Sequence, residues 1–382
     1  MKLKLKTLFL LFLCLCRYVV FGKAQKKQKT FKKIAIFQGA KLGDMVCTTP
    51  MFRAVKEKYP QSQLVVIGDG VNKRLLEHNP DVDSYRVYKE EDIFSTIKEI
   101  KKEGVDFGCI TGPSFLNLAV LYLAGIPLIV APVIKSGWSP WETMSYKILR
   151  RFVETQPHHM GQYAPREYLR LLETIHIFTD DTTKHLVFSS QAQQETRALL
   201  EQYAGRLLIG ISPSAGNKIK EWPTERFAEV ANYIASRYDA VVVIIGGPGD
   251  GEYAKRMKAG LDRDVEYVDT TGILSIDELK ALISKLNLFI SVDTGPIYIA
   301  EAFGVPTIDI VGPVDENEQP PVGERHKIVV FGRDKPELHI MNSRIYNEKK
   351  ARMQVESINV KDVIYEIAKL AVFLKENETK KS

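Results

Sequence analysis

The stretch Lys33-Ile-Ala-Ile-Phe-Gln-Gly-Ala-Lys-Leu-Gly-Asp-Met-Val-Cys-Thr-Thr-Pro50 decides the fold of the first half of the chain. Its apolar run, Lys33–Phe37, is typical of a buried strand, and the glycine-bearing turn that follows leads into a helix. If this loop were a phosphate cradle, backbone N–H groups at the helix N-terminus would face an anion. The carboxylate of Asp44 would repel that anion, so the loop is predicted to serve another purpose.

Short β-branched runs alternate with helical-period segments from residue 32 onward. The strand-like runs lie at 33–37, 63–68, 107–111 and 127–131, and then at 207–212, 240–246, 288–293 and 307–311. Such alternation is typical of parallel sheets covered by helices. The sequence therefore predicts an α/β protein of two halves joined near residue 185. Ligands are expected at the carboxyl ends of the strands, in the cleft between the halves.

The composition is that of a globular protein with two cores. The chain has 382 residues, of which 45% are hydrophobic and 26% charged, which excludes a disordered or fibrous protein. The net charge of +6 suits an anionic partner such as a nucleotide, a lipid phosphate or a membrane surface; we expect no nucleic-acid partner. No disulfide framework or zinc site is predicted from the four cysteines, Cys14, Cys16, Cys47 and Cys109.

The N-terminal residues 1–30 combine lysines with an apolar run from Leu8 to Cys16, which Arg17 interrupts. This run is too short to cross a bilayer, for which about 20 residues are needed. A cleaved signal peptide, a short spanning helix and an interfacial anchor are the open interpretations. The interfacial anchor accommodates both the lysines and Arg17. We therefore expect peripheral contact between this segment and a membrane.

The loop after the strand-like run 207–212 offers a possible anion site. Its small residues, Ser214, Ala215 and Gly216, let the backbone approach a ligand, and Lys220 adds a positive charge. This combination favours a diphosphate ligand. The alternative is a solvated lysine on an ordinary strand-to-helix loop, and the spacing alone leaves both interpretations open.

Two further strand ends carry carboxylates. Asp293 and Thr294 stand where a strand ends and a helix begins, so Asp293 could contact a ligand, cap the helix, or do both. Asp250 and Glu252 follow another strand, where a carboxylate can hold the two hydroxyls of a ribose; a solvated turn is the alternative. Neither G-x-G-x-x-G nor a Walker-type motif occurs, which disfavours dinucleotide-dependent and nucleotide-hydrolysing enzymes. The histidines have no metal-ligand spacing, so no catalytic metal is predicted.

Three ordered segments of the chain resemble glycosyltransferase family 9, the lipopolysaccharide heptosyltransferases. They are IAIFQGAKLGDMVCTTPMFRAVKEKYP, GISPSAGNKIKEWPTERFAEVANYI and ISVDTGPIYIAEAFGVPTIDIVGPVD, and the resemblance covers most of residues 33–372. It implies a GT-B-type fold of two Rossmann-like domains with a cleft between them. It also implies a nucleotide-activated sugar held mainly by the C-terminal domain and metal-independent inversion at the anomeric carbon.

The resemblance assigns roles to individual residues. Asp44 falls on the family's catalytic base, and a helix N-terminus favours the ionised carboxylate that takes a proton from an acceptor hydroxyl. Lys220 would neutralise the departing diphosphate in place of a metal ion. Asp293, Thr294 and Gly295 match the family's aspartate-threonine-glycine, which lies against the donor sugar and phosphates.

Other positions matter for the donor and the acceptor. Leu274 and Ser275 fall where the family's backbone meets the adenine. The family usually has a histidine where this chain has Tyr298, which donates a hydrogen bond but is not cationic near neutral pH. The donor sugar could therefore differ from the usual heptose. Acceptor contacts are expected near Lys41 and Thr48.

The favoured prediction is an inverting glycosyltransferase that needs neither metal nor cofactor. It would move heptose from ADP-heptose onto a lipopolysaccharide core or related glycolipid, on the cytoplasmic face of the inner membrane. A sugar-nucleotide epimerase of the same architecture and a non-catalytic sugar-nucleotide or glycan-binding protein are the alternatives. The predicted organisation is a membrane-associating segment 1–30, an acceptor domain 31–185, a nucleotide-sugar domain 186–355, a helix within 356–374 that packs back on the first domain, and a disordered tail 375–382.

Overall fold

The computed structural model describes residues 2–26, 28 and 30–374, with the backbone alone for residues 2–4. The tail predicted at 375–382 lies outside these residues. The chain divides into two compact units. The first comprises Met1–His185 with Ile340–Arg344, and the second comprises Leu186–His339 with Ile345–Ser382.

The first unit contains a six-stranded sheet whose paired neighbours are all parallel. Its strands are β1 Lys33–Phe37, β2 Gln63–Gly68, β3 Ser84–Val87, β4 Phe107–Ile110, β5 Leu128–Lys135 and β6 Glu154–His159. They lie in the order β3-β2-β1-β4-β5-β6, which is the doubly wound order. Because the direction of winding reverses between β1 and β4, the loops after these two strands flank a crevice suited to a ligand.

The helices of the first unit are α1 Lys2–Phe21, α2 Leu42–Lys58, α3 Gly70–Leu75, α4 Ile93–Glu103, α5 Phe115–Leu123, α6 Met144–Leu149 and α7 Ala164–Leu169. Pro50 lies inside α2 and removes the N–H that would reach the carbonyl of Val46. The Thr49 hydroxyl donates to that carbonyl instead, at 2.7 Å. Among the described residues, no helix is long and apolar enough to span a membrane.

The second unit repeats the strand order of the first. Its strands are β7 Leu207–Ser212, β8 Ala240–Ile244, β9 Tyr267–Asp269, β10 Leu288–Val292, β11 Thr307–Val311 and β12 His326–Val330. They form one sheet in the order β12-β11-β10-β7-β8-β9, again with parallel pairs. The winding therefore reverses between β7 and β10.

The helices of the second unit are α8 Ser190–Leu200, α9 Thr224–Arg237, α10 Gly251–Ala259, α11 Ile276–Ile283, α12 Gly295–Ala302, α13 Glu348–Glu356 and α14 Val360–Lys369. The sequence predicted that the last helix would pack on the first domain. The structure differs, because Val363 and Ile367 of α14 are fully buried in the core of the second unit. There α14 packs against α9, β11 and β12.

The eight strand-like runs of the sequence correspond to the inner strands of the two sheets. The strands without such a run, β3, β6, β9 and β12, are the outermost ones. Along β3 and β9 every residue is at least partly exposed, whereas β4 and β10 are buried throughout. An inner strand covered on both faces must be apolar along its length, and an edge strand need not be.

Candidate active site

In the first unit, the loop after β1 carries Asp44 at the start of α2. Asp44 is the third residue of the helix, and its Oδ2 accepts a hydrogen bond from the Lys41 N–H at 3.2 Å. The carboxylate is half-buried, while Lys41 beside it is exposed. Negative charge is favoured near a helix N-terminus, and the loop after β1 places this carboxylate at the carboxyl end of the sheet.

Thr48 does not have the exposure predicted for an acceptor contact. The residue is fully buried, and its hydroxyl donates to the Asp44 carbonyl at 2.7 Å. It also accepts a hydrogen bond from Gln38 Nε2 at 2.8 Å. Thr48 therefore stabilises the first turns of α2, and through them the position of Asp44, instead of facing an acceptor.

Two asparagines that the sequence analysis missed lie against the same loop. Asn72 Nδ2 donates to the carbonyl of Ala40 at 3.0 Å. The Asn117 amide nitrogen lies 2.7 Å from where a Cβ on Gly39 would stand, so a larger residue at position 39 would displace the Asn117 side chain. Each asparagine stands three residues after the N-cap of its helix. The backbone N–H of Asn72 donates to the Asp69 side chain, and that of Asn117 donates to the Ser114 side chain. That capping pattern is the signal that could have identified them.

In the second unit, Lys220 and Asp293 meet at the reversal point of the sheet. Lys220 ends a short 3₁₀ helix after β7, and Asp293 directly follows β10. Because β7 and β10 are neighbours, the Lys220 Nζ lies 2.5 Å from Asp293 Oδ2 and 3.3 Å from its carbonyl oxygen. The structure therefore excludes the interpretation of Lys220 as an unpaired solvated lysine.

Asp293 contacts side chains and does not cap a helix. The N-cap of α12 is Thr294, and Gly295 opens the helix. The Tyr298 hydroxyl donates to the second oxygen of Asp293, Oδ1. Tyr298 is almost fully buried. The Asp293 carboxylate therefore lies between the Lys220 ammonium group and the Tyr298 hydroxyl.

Asp309, another residue that sequence reasoning missed, adds a buried carboxyl beside this pair. It is 1% exposed in the middle of β11, and it pairs in register with Ser291 of β10, which places it on the same face of the sheet as Asp293. Burial and the nearby Asp293 carboxylate raise the pKa of Asp309 well above its usual range, although Lys220 opposes the shift. A carboxyl inside the apolar run Thr-Ile-Asp-Ile-Val is the sequence signal for this residue.

One oxygen of Asp309, Oδ1, has no hydrogen-bond partner among the described residues. Asp309 and Asp293 line a small cavity with Val311, Val314, Asp315, Glu316, Gln319 and Pro320. A buried oxygen without a partner costs free energy. The Asp309 oxygen therefore leaves hydrogen-bonding capacity unused at the wall of this cavity.

The loop after β7 combines buried and open positions. Ser214 and Ala215 are buried, and the Ala215 N–H donates to Glu221 at 3.3 Å. Gly216 is exposed, with open space where a Cβ would stand. The backbone at Gly216 is therefore accessible, and packing does not require a glycine at this position; the ligand contact of this loop stays a prediction.

The other predicted donor contacts have local partners. The Asp250 carboxylate accepts from the Gly247 N–H at 2.7 Å, and Glu252 is exposed in the first turn of α10. The Ser275 hydroxyl caps α11, and Leu274 is half-buried before it. The ribose and adenine roles of these residues stay predictions.

Asp315, Glu318 and His339 form a compact ionisable cluster in the second unit. One nitrogen or oxygen atom from each lies within 4.8 Å of the others, and His339 Nδ1 is 3.3 Å from both carboxylates. Hydrogen bonds to Asp315 and Glu318 raise the pKa of His339 to about 9. The protonated ring therefore supplies the positive charge between the carboxylates near neutral pH. The predicted absence of a catalytic metal stays a prediction.

Comparison with known proteins identifies the family. The model of glycosyltransferase family 9 (heptosyltransferase) matches residues 119–345, more than half of the chain. The lipopolysaccharide core heptosyltransferase OpsX of Haemophilus influenzae is 23% identical over 363 residues, which cover 90% of this chain and 98% of OpsX. Lipopolysaccharide heptosyltransferase 3 of Escherichia coli is 25% identical over 289 residues, 72% of this chain and 80% of that protein.

Solved structures share the fold. The ADP-heptose lipopolysaccharide heptosyltransferase II of Escherichia coli has a TM-score of 0.71 at 19% identity and covers 91% of this chain and 99% of its own. A family 9 glycosyltransferase from Veillonella parvula has the same TM-score at 20% identity, and the match covers 92% of this chain and 99% of that protein. The two doubly wound sheets are those of the GT-B class. With more than half of its length matched, this chain belongs to glycosyltransferase family 9.

Proposed function

We propose that this glycosyltransferase moves heptose from ADP-heptose onto a lipopolysaccharide core or a related glycolipid, with inversion at the anomeric carbon and without a metal ion. The relatives described above are named as lipopolysaccharide heptosyltransferases, and one is named for ADP-heptose. The single observation that carries the proposal is the Lys220–Asp293 pair at the reversal point of the second sheet.

Lys220 is proposed to stabilise the leaving group. When the bond between the anomeric carbon and the diphosphate breaks, the electron pair leaves with ADP, and negative charge develops on the phosphate oxygens. A cation already in place stabilises that charge without reorganisation. Asp293 holds Lys220 Nζ at the end of β10, beside Thr294 and Gly295, where the first N–H groups of α12 favour anions.

Asp44 is proposed to be the general base. As the acceptor oxygen bonds to the anomeric carbon, the acceptor hydroxyl loses its proton to the Asp44 carboxylate. The N-terminus of α2 and the Lys41 N–H favour the ionised carboxylate beforehand. The exposed side chain of Lys41 is the proposed acceptor contact in this unit.

The remaining donor contacts follow the family resemblance. Leu274 and Ser275 would meet the adenine, and Asp250 and Glu252 would meet the ribose. Tyr298 would act on the sugar through Asp293, to which its hydroxyl is bound. We place the reaction on the cytoplasmic face of the inner membrane; the spacing of the four cysteines, two of which lie in the apolar run of residues 8–16, indicates no disulfide framework, which suits a reducing compartment.

A paired assay tests this proposal. The full chain, Asp44→Asn and Asp69→Asn are each offered ADP-heptose and a panel of other nucleotide sugars, with a deacylated core oligosaccharide as acceptor, in EDTA. Mass spectrometry reads the products. We expect turnover of Asp44→Asn to fall about 10²–10⁴-fold, with unchanged affinity for ADP-heptose. Asp69→Asn is the matched control, since Asp69 also stands at a helix N-terminus after a strand, and it should keep turnover.

Each other outcome has a defined meaning. A donor altered without acceptor would establish an epimerase, and a donor bound without any product would establish a binding protein. Transfer from a different nucleotide sugar would overturn ADP-heptose as the donor. Full activity of Asp44→Asn would remove Asp44 as the base.

A further inference from the structure

The outer face of α1 is apolar although it faces solvent. Leu8 is 61% exposed, Phe12 59% and Val19 83%. With their exposed neighbours, these side chains form the α1 outer face, which consists of Leu5, Leu8, Phe9, Phe12, Leu15 and Val19. Their spacing of mostly three or four residues places them on one side of the helix. A surface helix of a globular domain normally turns polar residues outward, and α1 does not.

The opposite face of α1 is packed into the first unit. Leu10 and Cys14 are fully buried in its hydrophobic core. The Tyr18 ring stacks on Phe152 with ring centroids 4.1 Å apart. After the helix, the Ala24 N–H donates to the Phe152 carbonyl at 2.8 Å. The helix is therefore held as a part of this unit, with one apolar face buried and the other open.

The segment that carries α1 is rich in cations, and the exposed carboxylates of Glu90, Glu91 and Asp92 lie near Lys6, whose Nζ donates to the Glu90 carbonyl. Residues 1–43 contain ten lysines and one arginine but no aspartate or glutamate. The arginine, Arg17, interrupts the apolar run in sequence, yet its guanidinium lies over the Tyr122 ring at 4.5 Å from the centroid. It is thus turned away from the α1 outer face. Lys23 and Lys26 are exposed just beyond the helix.

We propose that the α1 outer face docks on the surface of a bilayer that contains anionic lipid, with the helix lying in the plane of the headgroup region. A helix with an apolar face and flanking lysines binds in this way, and α1 is not long and apolar enough to span. Because α1 is packed onto the first unit, docking orients that unit on the membrane. The proposal is independent of the sugar and acceptor proposed above.

Vesicle flotation of the full chain tests this docking. The vesicles are phosphatidylcholine alone or phosphatidylcholine mixed with phosphatidylglycerol. We expect the wild type to bind the anionic vesicles. The triple variant Leu8→Ser, Phe12→Ser, Val19→Ser should bind them at least about tenfold more weakly, because three apolar side chains are no longer transferred from water to the bilayer. The matched control is Phe178→Ser, whose residue is 72% exposed in the same unit outside α1, and it should bind as the wild type does.

A second variant tests how much the positive charges beyond α1 contribute to vesicle binding. Lys23→Gln with Lys26→Gln should weaken binding to the anionic vesicles about fivefold per lysine, and added salt should reduce the difference. Circular dichroism and melting of the triple variant should match the wild type, since the replaced side chains are exposed.

Three results would overturn the proposal. The wild type could fail to float with anionic vesicles, or the triple variant could float equally well. Sedimentation analysis could also show a dimer that the triple variant abolishes, without vesicle binding by the wild type. That last result would assign the α1 outer face to a second copy of the chain.

Discussion

The two units share one strand order and place different chemistry at the same point of it. In the first unit, four residues, 38–41, separate β1 from α2 and bring Asp44 to the N-terminus of that helix. In the second unit, the longer connection 213–223 separates β7 from α9 and brings Lys220 against Asp293. A short loop places a carboxylate among helix N–H groups, and a long loop lets a lysine reach the next strand. The fold is common to both, and the loop decides the chemistry.

The sheets differ in a second way. The strand β11 carries the buried Asp309, whereas its counterpart in the first unit, β5, is Leu-Ile-Val-Ala-Pro-Val-Ile-Lys. The second unit therefore has a buried carboxyl in an inner strand, close to Asp293 and Lys220, which supports its proposed role with a charged donor. Three experiments test how far this difference between the units extends.

Of these three experiments, the substitution of Lys220 is expected to have the largest effect. If this cation stabilises the leaving diphosphate, Lys220→Ala should lower kcat by roughly 10²–10³-fold at saturating donor. Lys218→Ala is the matched control, because Lys218 is in the same 3₁₀ helix but pairs with Glu221, and it should stay near the wild-type rate. Thermal melting separates lost turnover from lost folding, since Lys220→Ala leaves Asp293 without its cation. Equal losses in both variants would show that this site does not depend on Lys220 in particular.

A histidine in each unit predicts opposite pH dependence. In the first unit, burial and then the charges of His159 and Arg170 lower the pKa of His158 to about 4. In the second, hydrogen bonds to Asp315 and Glu318 raise the pKa of His339 to about 9. The ordinary pKa of a histidine side chain is 6.5.

The sign follows from which state holds the proton. As the pH falls from about 6.5 toward 4, the unfolded chain binds a proton at His158 that the folded chain excludes, so the free energy of unfolding falls. The stabilising contribution of His339 to the free energy of unfolding is fully present below about pH 6.5 and is lost as the pH rises through 9. Each change amounts to at most about 3 kcal/mol.

Melting temperatures across this pH range measure both effects. His158→Asn should flatten the acid side of the profile and leave the alkaline side unchanged. His339→Gln should do the reverse. If either variant altered both sides equally, the assignment of the two effects to separate units would be wrong.

The smallest effect is expected at Asp309. Its raised pKa means that the folded state keeps a proton that the unfolded chain releases, so the folded state loses stability as the pH rises above the ordinary carboxyl range. Asp309→Asn should therefore raise the melting temperature near pH 8 by about 2–4 °C, on the order of 1 kcal/mol, and by little near pH 4.

Burial would raise the pKa of Asp315, but hydrogen bonds from His339 and Asn317 hold it below its usual range. Asp315→Asn should accordingly be destabilising near pH 8, and the same sign in both variants would contradict this account.

The proposed catalytic residues were recognisable in the sequence, while their contacts were not. Lys220 and Asp293 each follow a predicted strand, but they are 73 positions apart. Only the pairing of β7 with β10 brings them together. Tyr298 was predicted to meet the donor, and the sequence did not indicate that its hydroxyl is hydrogen-bonded to Asp293. Asp309 went unnoticed because a single carboxyl in an apolar run does not reveal which charged groups lie on the neighbouring strand.

The sequence by itself determined the inner strands, the capped helices and the residues placed at strand ends. Continuous burial leaves a local apolar pattern, and the capping of α11 depends on Ser275 and Glu278 alone. The tertiary structure decided the edge strands β3, β6, β9 and β12, the packing of α14 on the second unit and the pairing of Lys220 with Asp293. These depend on which elements become neighbours, and contacts between residues distant in sequence leave no local pattern to read.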